Sequence, residues 1–325
     1  MFPAVPAAAE PLVASIGVAF TEPSLRRFCV LMCGLIVTVG RRTVSHALAV
    51  VRPELDKLGG HWSNYHRLYS AAKFSMWELA AALVRQVVEL LPPGVVIELV
   101  ADDTVDGKEG DRVWAKGAHR DPVRSSHSKT AMKFGHKWLS MCVLVQLPGW
   151  DRPWALPVLC GMCLSPKVAA GIGRRQKTPS RLARQMLIRL MRWLPDRKFI
   201  LTGDSQVVTH ETVAFARRHA DRVTVVGRLR GDANLYAPPA NPARRSRTGG
   251  LARKGRKLAA PAERAAQLPA VEQEVAWYGN SRRTVRHAGE AALWYDKHAR
   301  KRANSVTPIR WVCVRCACWG MRSNT

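Results

Sequence analysis

Residues 95–107 read VVIELVADDTVDG, and the conformation of this stretch decides the fold. Val95, Val96, Ile97, Leu99 and Val100 form a β-branched and aliphatic run directly after the breaker Pro92-Pro93-Gly94, which predicts a strand over 95–101. That strand carries Asp102 and Asp103 at its C-terminal end and leaves Asp106 in the following loop. On a helix the same three carboxylates would serve a different chemistry, but Gly107 follows at once and the run has no helical period. Asp102 and Asp103 stay equivalent at this point, because alternation does not fix side-chain direction at a frayed strand end.

Working outward, WLSMCVLVQL from Trp138 and WALPVLCGMCL from Trp154 predict two more strands, joined by the turn-like PGWDRP. SRLARQMLIRLMRWL, residues 180–194, is an amphipathic helix with Leu182, Met186, Leu187, Leu190 and Leu194 on its inner face. KFILTGDS is a buried strand ending in Asp204, HETVAFARRHA from His210 a helix, and DRVTVVGRLR from Asp221 a strand. The order is therefore βββ, α, β, α, β. His119, His127 and His136 fall in a polar loop after the first strand, and GIGRRQKTPS reads as a basic turn without the spacing of a phosphate loop.

Residues 1–91 are helical in pattern and form a candidate DNA-binding domain, with Trp62, Tyr65 and Tyr69 interleaved with His61, His66, Arg67 and Lys73. Residues 92–233 hold the βββαβαβ core. Residues 234–273 are rich in Pro, Gly and Ala and predict a basic loop, in which Arg244, Arg245, Arg247, Arg253, Lys254, Arg256 and Lys257 are candidate phosphate contacts. Strand-like pieces EVAWYG, RRTVRHAG, EAALWYDK and PIRWVCV then make 274–325 a β-rich subdomain with an unpatterned tail.

The chain of 325 residues carries 51 Lys plus Arg against 24 Asp plus Glu, a formal charge of +27. Such an excess favours a polyanionic partner, and nucleic acid is the commonest one, since each neutralised phosphate releases counterions. The longest apolar run, FCVLMCGLIVTVG, is well short of the ~20 residues that span a bilayer. No basic region precedes the apolar N-terminal residues, so the chain reads as cytoplasmic and nucleoid-associated, with no membrane partner. Among the 8 cysteines, Cys160/Cys163 and Cys313/Cys316 form two CxxC pairs. They lie far apart and lack knuckle glycines or flanking histidines, so they read as thiols rather than a zinc site.

An acid at the end of the first strand and another just past the fourth, in a βββαβαβ order, is the layout of the RNase H-like core. VIELVADDTV, GHKWLSMCVLV, FILTGDSQVVTHETV and VTVVGRLRGDANLY resemble the DDE transposases of bacterial insertion sequences, in the group with a β-rich insertion before the last catalytic helix. FTEPSLRRFCVLMCGLIVTVGRRTVSHAL is similar to that group's N-terminal region, so the resemblance covers most of residues 20–315. It implies a mixed α/β fold: an RNase H-like catalytic core, an N-terminal helical domain and a partial β-rich insertion.

The family's D-x-T falls on Asp102-Asp103-Thr104, which implies Asp102 as first catalytic and metal ligand, with Asp103 as alternate and Asp204 as the second. The implied cofactor is a pair of Mg²⁺ or Mn²⁺ ions, and the implied partners are double-stranded DNA, as element terminal inverted repeats and as target, with a homodimer on DNA as the further assembly it allows. The third acid, a Glu on a helix after the insertion, has no counterpart: Glu263, Glu272, Glu274 and Glu290 sit in the linker or insertion strands, and the chain ends RCACWGMRSNT. The function expected is DNA cleavage and strand transfer by an insertion-sequence transposase truncated before its third acid. The alternative is a catalytically inactive, DNA-binding remnant. A distant alternative, a diphosphate-binding terpene-type enzyme, requires DDxxD on a helix.

Overall fold

The computed structural model describes residues 5–52, 61–121, 123–126, 128–241, 253–277, 281–295 and 306–316. The chain divides into two units, Met1–Leu91 and Pro92–Thr325.

The first unit contains α1 (Glu10–Gly17), α2 (Glu22–Val37), α3 (Val44–Val50), α4 (Ser63–Ser70) and α5 (Met76–Glu89). Proline in the first turn starts α1 and α2. Thr43 and Ser75 cap α3 and α5 by accepting from the backbone N–H groups of His46 and Glu78. Val30, Leu31, Ala47, Leu48, Tyr65 and Leu68 form one apolar cluster, and Val13, Ile16, Leu25, Cys29 and Ala82 another. Gly34 permits the close crossing of α2 and α3: a Cβ there would stand 2.5 Å from the carbonyl oxygen of Ala47. The aromatic stretch around His61 splits, with Tyr65 in the core and Trp62 and Tyr69 exposed.

The second unit is built on a mixed sheet of β1 (Ile97–Gly107), β2 (Gly117–Arg120), β3 (Met132–Val145), β4 (Trp154–Cys163), β5 (Phe199–Gly203) and β6 (Val223–Gly227). β1 runs antiparallel to β3 on one side and parallel to β5 on the other, and β5 is parallel to β6. β4 and β2 occupy successive stretches of the far edge of β3. The helices α6 (Pro166–Gly171), α7 (Pro179–Trp193) and α8 (His210–Arg218) fill the connections.

Period-two burial shows which face the core takes. Ile97, Leu99 and Ala101 of β1, Leu139, Met141, Val143 and Val145 of β3, and Phe199 and Leu201 of β5 are buried, as are Leu182, Ala183, Met186, Leu187 and Leu190 of α7. Gly161 of β4 lets α7 lie close, since a Cβ there would meet Met186 at 3.0 Å. Arg184 of α7 pairs with Glu211 of α8 at 2.7 Å. Arg222 closes the C-terminal end of α7, where its guanidinium donates to the carbonyls of Met191, Leu194 and Arg197 at 2.8–3.3 Å.

A second sheet contains β7 (Leu235–Tyr236), β8 (Val271–Ala276), β9 (Arg282–Tyr295) and β10 (Val306–Cys316), with α9 (Pro261–Gln267) before β8. β10 lies on one edge of β9, and β8 and β7 share the other. Leu235 and Ala292 are its buried centre, packed by Leu258, Ala265, Leu268, Trp294 and Ile309. His210, at the start of α8, ties this sheet to the core: its Nε2 is 3.2 Å from the Trp294 carbonyl and 3.0 Å from the Thr307 hydroxyl, and both His210 and Thr307 are buried.

Several sequence expectations change. The first strand runs to Gly107 instead of ending at 101, because antiparallel bonding to β3 continues to Gly107 opposite Gly135. Asp106 is thereby a strand residue opposite His136, not a loop residue. His119 and His136 lie in β2 and β3, while His127 falls outside the described residues. Part of the predicted loop at 234–273 is ordered as β7, α9 and β8; PAERAAQ has proline in its first turn and good helix formers behind it. The triplet Asp102-Asp103-x-x-Asp106 lies on a strand, which removes the helical geometry of the terpene-type reading. Among the described residues no helix is long and apolar enough to cross a membrane.

Arg222→Met removes charge-assisted hydrogen bonds to three carbonyls. We expect a loss of about 1.5–3 kcal/mol of stability, read as a lower midpoint in thermal denaturation, with Arg222→Lys recovering only part of it.

Candidate active site

β1 and β5 lie side by side in parallel with Ala101 opposite Gly203, so Asp102 and Asp204 are the next residues along the two chains. Neighbouring strands are about 4.8 Å apart. β1 is also where the sheet changes from antiparallel to parallel, and the crevice outside the C-terminal strand ends at such a point is a common ligand position. Alternation sends Ile97, Leu99, Ala101 and Asp103 to the face covered by α7 and Asp102 to the opposite face. The choice between Asp102 and Asp103 that the sequence left open is thus a choice between two faces of the sheet.

Asp102 is exposed, and its Oδ1 accepts from the N–H of Asp103 at 2.8 Å. Asp204 is exposed at the head of a tight turn, where its Oδ1 accepts from the N–H groups of Gln206 at 2.9 Å and Val207 at 3.1 Å. Two glycines make room for this turn. A Cβ on Gly203 would come within 2.8 Å of Val207, and one on Gly227 within 2.4 Å of Val208. The Oδ2 atoms of Asp102 and Asp204 take no part in these bonds.

On the covered face Asp103 is 8% exposed and pairs with the ammonium of Lys137, itself 15% exposed, at 2.8 Å. Lys137 also donates to Oε1 of Gln206 at 2.8 Å. The Oδ1 of Asp103 is buried without a hydrogen-bond partner. Nearby, burial and then the charges of Lys137 and His136 lower the pKa of His119. Burial pushes the Cys163 thiol up to about 11, whereas its CxxC partner Cys160 is exposed. Asp106 pairs with Lys108 at 2.7 Å on the exposed end of the strand, away from Asp204.

The donors fit half of a two-ion site. Carboxylate oxygens are hard ligands suited to Mg²⁺ or Mn²⁺, and each of the two exposed acids has one oxygen outside its backbone hydrogen bonds. Among the described residues no cluster of three His, Cys, Asp or Glu side chains is placed to hold a metal. Glu274 of β8 pairs with Arg282 of β9, Glu290 of β9 pairs with Arg264 of α9, and Glu263 and Glu272 lie on α9 and β8.

Of the candidate phosphate contacts, Arg244, Arg245 and Arg247 lie outside the described residues. Lys254 sits between the rings of Tyr236 and Tyr295, 4.0 and 3.8 Å from their centroids. The Arg256 carbonyl accepts from the N–H of Ala237, and Lys257 bridges to Tyr236, so these residues are laid along β7; Arg253 precedes them. Sequence reasoning missed Lys137 and Gln206. The one available signal was phase: Lys137 stands two residues before buried Leu139, on the inward-facing set of β3.

Residues 18–301 match the family described as DDE superfamily endonuclease, and the chain belongs to that family. No curated protein matches the sequence. Among solved structures, the chain is similar to the piggyBac transposase in its cryo-EM synaptic complex with hairpin DNA. The two are 12% identical, with a TM-score of 0.35, over 95% of this chain and 57% of that one. The chain thus spans little more than half the length of that transposase, and the likeness is too distant to assign residues.

Two solution properties follow from the covered face. At pH 8 the exposed Cys160 is expected to react with iodoacetamide in the native protein and Cys163 only after unfolding, as mass spectrometry would show. Because the folded His119 has a lowered pKa, the unfolded chain takes up a proton first. Its contribution to stability is full above the usual imidazole value of about 6.5 and is lost as pH falls below it. His119→Gln should flatten that part of the stability profile in denaturant titrations across pH 5–8.

Proposed function

We propose that this chain is a DNA transposase of insertion-sequence type whose core is RNase H-like and whose Asp102 and Asp204 hold the divalent metal for strand cleavage. One observation carries the reading: the parallel pairing of β1 and β5 runs to Ala101 opposite Gly203, so Asp102 and Asp204 are the next residues on the two adjacent chains. The strand order β4-β3-β1-β5-β6, with helices in the later connections, supports the RNase H-like assignment. The family to which the chain belongs supports divalent-metal chemistry on DNA.

When bound, Mg²⁺ or Mn²⁺ in such a site activates a water or 3′-hydroxyl and stabilises the leaving oxygen. The residues of the chain do the remaining work. Asp102 and Asp204 present carboxylate oxygens fixed by backbone N–H groups. Asp103 lies on the other face of β1, paired with Lys137, and does not compete for the same ion. The formal charge of +27 and the basic run Arg253–Lys257 supply the sequence-independent attraction to the phosphate backbone of double-stranded DNA.

A second reading is favoured by a specific observation. Among the described residues no group of three His, Cys, Asp or Glu side chains is placed to hold a metal, which suits a form that binds element ends with little or no cleavage.

DNA affinity measured by fluorescence anisotropy should fall steeply with salt, its logarithmic slope being about −0.9 per neutralised phosphate. Nicking of supercoiled DNA with Mn²⁺ should drop to the metal-free background in Asp102→Asn and in Asp204→Asn, with DNA binding retained and Asp106→Asn unaffected. Salt-dependent binding without nicking by the unmutated chain supports the second reading. Mn²⁺-dependent nicking that survives both Asn substitutions removes these two acids from the site.

A further inference from the structure

The sequence of contacts behind the two exposed acids is continuous. The N–H of Asp103 donates to Asp102, and the carboxylate of Asp103 is bound by Lys137. Lys137 donates to the side chain of Gln206, whose own N–H donates to Asp204. Each exposed acid is thus oriented by a backbone donor belonging to a residue whose side chain Lys137 holds. Three segments that are distant in sequence, β1, β3 and the turn after β5, meet at one ammonium.

We infer that Lys137 is a positioning residue: through Asp103 and Gln206 it locks the stretch of β1 carrying Asp102 to the turn carrying Asp204, and so sets the spacing of the two carboxylates toward a divalent cation. The metal part of this inference rests on the function proposed above; the lock itself does not. The burial supports it. Strand alternation puts this nearly enclosed carboxylate on the covered face, where one oxygen is unpartnered and the ammonium lying against the other offsets the cost of its burial. Packing alone does not require a charge pair there, since the neighbouring inward positions of the same strands are filled by Ala101 and Leu139. Groups that orient metal-binding carboxylates from behind typically alter affinity by about 10–100-fold when removed.

The test uses the full chain. Lys137→Met leaves the Asp103 carboxylate buried and alone, so that variant is expected to be less stable. Asp103→Asn combined with Lys137→Met removes both charges and keeps a foldable control, checked by circular dichroism. Hydrogen–deuterium exchange of the 204–208 turn reads the lock without any metal. The double variant should lose about ten-fold or more of the protection at Gln206 and Val207, and Lys137→Arg should restore part of it. Manganese binding, followed by electron paramagnetic resonance, should weaken about ten-fold or more in the double variant. Unchanged protection in a folded double variant overturns the lock. Manganese affinity that is unchanged or rises overturns its role toward the cation. A parent chain whose manganese binding does not depend on Asp102 and Asp204 overturns the proposed function, while the exchange result still decides the lock.

Discussion

The parallel pairing of β1 with β5 is the constraint on which the second unit depends. Parallel neighbours cannot be joined by a tight turn, so the chain must leave the sheet between them, and α7 is the segment that covers that crossing. The same pairing makes β1 central, buried on the α7 side from Ile97 to Ala101. It also fixes the longitudinal register of two chain segments, 97–101 and 199–203, that are far apart in sequence. A slip of one residue would turn Asp102 inward and Asp103 outward, exchanging an exposed acid for one that needs an ammonium beside it. The Asp103–Lys137 pair therefore has a second effect on specificity. It makes the wrong register costly, because either charge left alone in that environment is strongly unfavourable.

The turn after β5 shows how little sequence is needed to fix the placement of an exposed acid once the register exists. Gly203 removes a side chain that would strike Val207, and Gly227 removes one that would strike Val208. The chain then folds back sharply enough for the carboxylate of Asp204 to reach the N–H groups of Gln206 and Val207. The turn is anchored below by buried Val207 and Val208 and beyond by Thr212, whose hydroxyl donates to the Val207 carbonyl. An exposed acid is in this way carried on a rigid base.

Much of this was legible in the sequence, and the gaps have physical causes. The β-branched run before Asp102 and the apolar FIL before Gly203-Asp204 are local signals, so both strands were legible from them. The far half of β1 was not, because Thr104, Val105 and Asp106 carry no hydrophobic alternation and are in the strand only because β3 pairs with them. The contact of Lys137 with Gln206 was missed for a related reason: it joins segments that composition treats as separate and polar. α9 was hidden by an Arg- and Pro-rich neighbourhood that reads as loop, although its own residues are good helix formers.

The seat of Lys254 has an electrical consequence. Tyrosine rings attract an ammonium through their quadrupoles and carry no opposing charge, so Lys254 is fixed in place without being neutralised. Arg264, by contrast, is cancelled by Glu290 on the neighbouring strand. A cation held between aromatic rings keeps its full monopole, which is felt out to roughly the Debye length of about 8 Å at physiological ionic strength. An anion approaching β7 would meet this charge at a distance, which acts on the rate of encounter more than on the tightness of a later contact.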